Sequence, residues 1–171
     1  MATIEEWNQR YRTRDELTHE PAPLLVRAAE SLPPGRALDL ACGAGQNAAW
    51  LSSRGWQVVA LDGASEAIRL VHELAPGVDA RVIDLETDAP LPFDDATFDL
   101  VAILFFLHRP LFAEARRVLR PGGVLVSAIR MSGISAKYCV APGEMRGFVP
   151  GFEVMYEREA EIAEIVARKS G

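Results

Sequence analysis

The apolar positions change period several times along the chain, and each change marks an element. Ile4, Trp7 and Tyr11 recur at helical spacing. Leu24, Leu25, Ala28, Ala29 and Leu32 form a second helical stripe, which follows Pro21 and Pro23 and stops at Pro33-Pro34-Gly35. Residues 36–41 then read as a strand that runs into the loop Cys42-Gly43-Ala44-Gly45. A helix over 46–54 follows, with Gly55 as its C′ residue. Residues 56–62 are a second, mostly apolar strand. Ser65 is placed to cap the next helix, in which Ile68, Val71 and Leu74 face inward, and 78–85 reads as a third strand. The near-continuous apolar run 98–106 predicts a strand buried on both faces. Leu111, Phe112, Ala115, Val118 and Leu119 mark another helix, Pro121-Gly122-Gly123 a turn, and 124–129 a fifth strand. Pro142 at a helix N1 position starts a short helix ending near Gly147. Residues 152–156 and 162–168 are two last strands, too close in sequence to be joined except as an antiparallel hairpin.

Alternating strand and helix predicts an α/β fold: a doubly wound, mostly parallel seven-stranded sheet with helices on both faces and an antiparallel C-terminal hairpin. With 171 residues the chain is expected to be one domain, 1–35 a helical cover and 36–171 the sheet core. Composition narrows the function. At 49% hydrophobic and 25% charged the chain is of ordinary globular type. The longest apolar run, 100–107, falls short of the ~20 residues a membrane span needs, and the acidic start does not fit a secretion signal. A cytoplasmic protein without a membrane partner is therefore expected. Cys42 and Cys139 make neither a disulfide framework nor a CxxC pair, and no metal is expected. Acids outnumber bases 24 to 18. That balance opposes a phosphate backbone as partner and favours a small molecule. Oligomeric state is left open.

In such a sheet ligands bind beyond the carboxyl ends of the strands. Four segments lie there. The glycine loop after Asp39 lets backbone approach a ligand, and the helix behind it offers N–H groups to an anion. Asp62, 17 residues after Gly45, is placed to accept both hydrogen bonds of a ribose diol. Asp84 is placed to take an amino proton from an adenine. Residues 104–109 close the strand nearest the reaction centre. Gly43-Ala44-Gly45-Gln46-Asn47-Ala48 also fits the G-x-G-x-x-G/A dinucleotide fingerprint, so a nicotinamide oxidoreductase is an alternative. Against it, Asp39 would repel a pyrophosphate and suits a ligand carrying an ammonium or sulfonium beside its carboxylate. The terminal hairpin also leaves no second dinucleotide-binding half.

The segments 38–47 (Leu-Asp-Leu-Ala-Cys-Gly-Ala-Gly-Gln-Asn), 59–62 (Val-Ala-Leu-Asp), 98–101 (Phe-Asp-Leu-Val) and 119–126 (Leu-Arg-Pro-Gly-Gly-Val-Leu-Val) resemble, in order and spacing, the successive signatures of class I S-adenosylmethionine-dependent methyltransferases. Trp7-Asn8-Gln9-Arg10-Tyr11 and Pro142-Gly143-Glu144-Met145 are similar to the tellurite-resistance and thiopurine methyltransferase-like branch. The resemblance implies a Rossmann-like fold and methyl transfer from S-adenosylmethionine to a small molecule, with S-adenosylhomocysteine as product. It implies that Asp39 bonds the methionine amino group and that Ala41, Cys42, Gly43 and Gly45 line the methionine and ribose portion. Asp62 would hold the ribose hydroxyls, with Gly63 leaving room beside the sugar. Asp84 and the Leu85 backbone would meet the adenine, and Leu104 would lie along the methionine arm. Ala41 departs from the pattern, since many members carry glycine there.

Other residues carry weaker signals. His108 is the candidate general base for a hydroxyl acceptor, although a histidine there also suits a helix cap. Arg109 could orient an anionic substrate, Trp7 and Tyr11 could form an aromatic lid, and His19, Lys137 and Tyr138 could border the substrate opening. Neither a base-methylating Asn/Asp-Pro-Pro-aromatic run nor a Pro-Cys nucleophile follows the fourth strand. A protein or RNA methyltransferase, or a cofactor-binding subunit without activity, stands as the alternative.

Overall fold

The computed structural model describes residues 2–13, 17, 19–133 and 135–171. They form two compact units, Met1–Leu85 and Glu86–Gly171. The first contains α1 (Ile4–Thr13), α2 (Pro23–Glu30), β1 (Arg36–Leu40), α3 (Gln46–Ser53), β2 (Gln57–Asp62), α4 (Ser65–Leu74) and β3 (Asp79–Val82). Its strands run parallel in the order β3-β2-β1. Ala37, Leu38 and Leu40 of β1 and Ala60 and Leu61 of β2 have no exposed surface, as strands covered on both faces require. Helices α3 and α4 pack on these strands, and α1 packs on α4.

Two asparagines fasten the helices. The Asn47 side-chain oxygen accepts from the Ala22 N–H at 2.8 Å, tying the approach to α2 onto α3. Asn8, buried within α1, accepts from the Glu66 N–H at 3.0 Å and the Ser65 hydroxyl at 3.5 Å. It therefore satisfies an orphan donor of α4 from another helix. The sequence points to Ser65 as that cap. Instead Ala64 occupies the N-cap position, Ser65 is the first helical residue, and the capping oxygen comes from α1. Leu74, expected inward, ends α4 exposed.

The second unit contains β4 (Phe98–Leu104), α5 (Arg109–Val118), β5 (Leu119–Arg130), a 3₁₀ turn (Ala136–Tyr138), α6 (Glu144–Gly147), β6 (Glu153–Glu159) and β7 (Ile162–Arg168). Its strand order is β4-β5-β7-β6, with β4 and β5 parallel and β7 antiparallel to both of its neighbours. The described strands number seven, parallel in the first unit and ending in the second with the reversed C-terminal pair that the alternation predicts. Pro121-Gly122-Gly123, read as a turn, lies inside β5. The register between β4 and β5 shifts there, and Gly122 (φ 81°) absorbs the kink. A Cβ on Gly123 would stand 2.8 Å from the Arg120 carbonyl, so only glycine fits the bulge. Pro142 does not start α6, whose N-cap is Gly143 in the left-handed region.

Charged side chains lock this unit's edges. Lys169 Nζ donates to the Arg116 and Leu119 carbonyls at 2.6 and 2.8 Å, capping the end of α5. Arg117 holds Glu114 in a two-point pair at 2.9 and 2.8 Å and also donates to Asp95 and to the Leu91 and Phe93 carbonyls. The connection before β4 is thereby fixed to α5.

Candidate functional site

The first unit gathers polar groups at the carboxyl tips of β1 and β2. Asp39, 1% exposed in β1, has an Oδ2 with no hydrogen-bond partner. Such an atom costs free energy unless a ligand satisfies it. Burial, with the nearby Asp62 charge adding, pushes the Asp39 carboxyl up from an ordinary 3.8 to about 7. Immediately after β1 the chain turns through Ala41 in the left-handed region (φ 58°), and the Cys42 N–H then donates to the Leu61 carbonyl at 3.0 Å. The residue expected to end the strand is thus the turn itself. Glycine would adopt this backbone conformation without strain.

Asp62 ends β2 and is held by backbone. Its Oδ2 accepts from the Gly43 N–H and its Oδ1 from the Ala64 N–H, both at 2.9 Å. Burial raises its pKa, while these two hydrogen bonds lower it. The carboxylate is therefore oriented, and each oxygen keeps lone-pair capacity for a further donor. Gly43 and Gly45 both have positive φ, and a Cβ on Gly45 would meet a Val71 methyl at 2.7 Å. Gly45 is also the N-cap of α3, whose first-turn N–H groups have no intrahelical acceptor. The Cys42 thiol is driven well above its ordinary pKa by burial and by Asp39 and Asp62, so it stays protonated and is not a nucleophile.

Helix α1 lies over this tip. A Cβ on Gly43 would stand 3.1 Å from the Tyr11 hydroxyl, and one on Gly63 would stand 3.2 Å from Ile4 Cδ1. Trp7 and Tyr11 stack at 5.8 Å between centroids. Burial, then the Asp62 charge, raises the Tyr11 phenol, which remains a hydrogen-bond donor. Asp84 is exposed beyond the end of β3, and Leu85 is buried. His19 is exposed and outside regular structure.

The remaining sequence-predicted residues belong to the second unit. Leu104 is the buried last residue of β4. His108 is the N-cap residue of α5, and its Nε2 lies 3.2 Å from the Thr87 carbonyl. A carbonyl only accepts, so Nε2 carries the proton. Arg109 contacts both Glu144 oxygens, at 2.5 and 3.2 Å, and the Lys137 and Cys139 carbonyls at 3.1 Å. It staples the segment after β5 to α5. Exposed Lys137 stands over the Tyr138 ring at 5.1 Å.

Sequence reasoning passed over Asn8, Phe105 and Arg130. Asn8 was open to detection, because it shares the apolar stripe with Ile4 and Tyr11 at i+4 and i+7. Phe105 was hidden inside the run Leu104-Phe105-Phe106-Leu107.

Residues 38–127 match a methyltransferase-domain profile. The chain belongs to the methyltransferase-domain family. It is 40% identical over 107 residues to a demethylmenaquinone methyltransferase of Clavibacter sepedonicus, covering 59% of this chain and 43% of that protein. It is 32% identical over 122 residues to a ribosomal RNA small subunit methyltransferase C of Alcanivorax borkumensis, covering 62% and 36%. The chain thus spans less than half the length of these curated relatives. The crystal structure of TehB from Haemophilus influenzae superposes with a TM-score of 0.81 at 18% identity, over 95% of this chain and 67% of that one, and shares its fold.

Proposed function

We propose that this protein transfers the methyl group of S-adenosylmethionine to a small-molecule acceptor. The observation that carries the proposal is Asp39: a fully buried carboxylate with an unpartnered oxygen, beside a second, half-buried carboxylate and a glycine loop at a helix N-terminus. An anionic pyrophosphate would add to that negative charge, whereas a ligand with an ammonium group relieves it. The residues fit the cofactor part by part. Asp39 would take the ammonium, the N–H groups opening α3 the carboxylate, and Asp62 the ribose hydroxyls. Asp84 and Leu85 would meet the adenine. Ala41, Cys42, Gly43, Gly45 and Gly63 would supply close backbone approach. When bound, S-adenosylmethionine supplies a methyl on a sulfonium that is already a good leaving group.

The chain's own work is then binding, alignment and exclusion of water. Alignment of reacting groups alone is worth roughly 7–11 kcal/mol. Trp7 and Tyr11 would cover the site from α1. An acceptor that arrives as an anion needs no base; in the second unit His108 keeps Nδ1 to accept a proton, because Nε2 is engaged with Thr87. In the second unit the guanidinium of Arg109 is paired with Glu144. A net charge of −6 supports a small molecule over a nucleic-acid acceptor.

Calorimetric titration with S-adenosylhomocysteine tests the cofactor. The wild type is expected to bind in the micromolar range, about −8 kcal/mol, and Asp62→Ala at least about 100-fold more weakly. Failure of the wild type to bind overturns the proposal, and equal binding by both proteins removes Asp62 from the site. Radiolabelled methyl transfer to thiols, phenols and carboxylates, with bulk RNA and protein as further arms, then identifies the acceptor class.

A further inference from the structure

Another cluster lies wholly within the second unit, at the carboxyl tips of β4 and β5. Phe105 follows β4 directly with φ at 59°, a backbone region that bulky L-residues rarely adopt. Its N–H donates to the Ala128 carbonyl at 2.7 Å, so sheet pairing holds the strained conformation in place. Little burial is obtained in return: Phe105 is 53% exposed, while Leu104 and Leu107 around it are buried. Glycine would sit at this turn without strain. A large aromatic kept in a strained conformation and left in solvent points to a role outside folding.

Arg130 closes β5 and places its guanidinium 6.0 Å from the centre of the Phe105 ring. Arg109, Arg117, Arg120 and Arg146 of the same unit each hold a carboxylate. Arg130 enters no ion pair among the described residues. The tip therefore presents a flat apolar face beside a planar fork of N–H donors, the geometry that matches a carboxylate in two-point contact.

We propose that Phe105 and Arg130 form an acceptor subsite selective for a small, planar, carboxylate-bearing molecule, its body on the Phe105 ring and its carboxylate on the Arg130 guanidinium. The inference rests on the methyl-transfer reading for its place in a reaction, but the binding it asserts is measurable alone.

Benzoate and the isosteric, uncharged benzamide are the probes, titrated by ligand-observed NMR into the full chain with and without saturating S-adenosylhomocysteine. The wild type is expected to prefer benzoate by about tenfold or more. Arg130→Gln should abolish the preference. Phe105→Gly should weaken both probes together while the thermal midpoint holds or rises, because a strained turn is relieved. Equal binding of the two probes to the wild type, or a preference that survives in Arg130→Gln, overturns the inference. Binding of S-adenosylhomocysteine without benzoate discrimination refutes this subsite and leaves the cofactor reading standing. Discrimination without S-adenosylhomocysteine binding does the reverse.

Discussion

The tips of β1 and β4 use the same backbone device and opposite chemistry. Each strand is followed by a non-glycine residue with left-handed backbone, Ala41 at φ 58° and Phe105 at φ 59°. In the first unit the turn residue is small, and what surrounds it is acidic: buried Asp39 without a partner and half-buried Asp62 gripped by two N–H groups. In the second unit the turn residue is large and exposed, and its neighbour is a guanidinium. The difference shows what a strand tip can be made to do. In the proposed functions, one tip would hold electrostatic free energy in reserve for a cationic ligand, while the other would spend backbone strain on displaying a surface. Other arginines of the second unit are paired with carboxylates, Arg117 with Glu114 and Arg109 with Glu144.

The sharpest way to break the contrast is to neutralise Asp39. Its carboxyl sits at about 7 in the folded protein against an ordinary 3.8. Between those values the native state keeps a proton that the unfolded chain has released. Its contribution to stability is therefore fully present below pH 3.8 and lost as pH rises through about 7. Three pKa units correspond to roughly 4 kcal/mol as an upper bound. Asp39→Asn should accordingly gain stability over wild type as pH rises from 5 to 8, by up to a few kcal/mol in urea unfolding without ligand. The same variant should lose affinity for S-adenosylhomocysteine, so that saturating ligand reverses the stability order at pH 8. A variant no more stable than wild type at pH 8 would show that Asp39 carries no stored charge.

A smaller effect is expected at Asn8, which caps α4 and holds α1 over the first tip. Asn8→Ala should cost about 1 kcal/mol and speed hydrogen exchange at the Glu66 amide, whereas Asn8→Asp, itself a good capping residue, should keep most of the stability. Equal losses in the two variants would refute the capping role.

These residues also mark how far the sequence was legible. The buried strands were, because an unbroken apolar run such as 100–104 leaves little else to predict. So was the glycine loop, whose residue types are demanded by positive φ and close packing on Val71. Ser65 misled for a physical reason: a hydroxyl at a helix start reads as a local cap, and here the capping oxygen comes from residue 8, 58 positions upstream of the donor. Pro121-Gly122-Gly123 carries turn chemistry but sits in a bulge of the β4–β5 register, and the residue just after β7 pairs with it: Gly122 N–H donates to the Lys169 carbonyl at 2.8 Å. Arg109 reads as a free cation until Glu144, 35 residues later, is folded beside it. What stayed hidden in each case was a partner distant in sequence, which no local pattern encodes.

The finest test is at Ala41 itself. If the left-handed turn there only costs free energy, removing the methyl should be harmless or helpful. The Cβ penalty in this region is roughly 1–2 kcal/mol, partly offset by the greater unfolded-state entropy of glycine. Ala41→Gly should therefore raise unfolding free energy by about 0.5–1 kcal/mol and leave S-adenosylhomocysteine affinity within about twofold. Ala41→Val, with a branched Cβ in the same backbone region, should destabilise by about 1 kcal/mol or more. A destabilised glycine variant would mean that the methyl group packs usefully. The first tip would then resemble the second, with a side chain kept at the turn for what it touches.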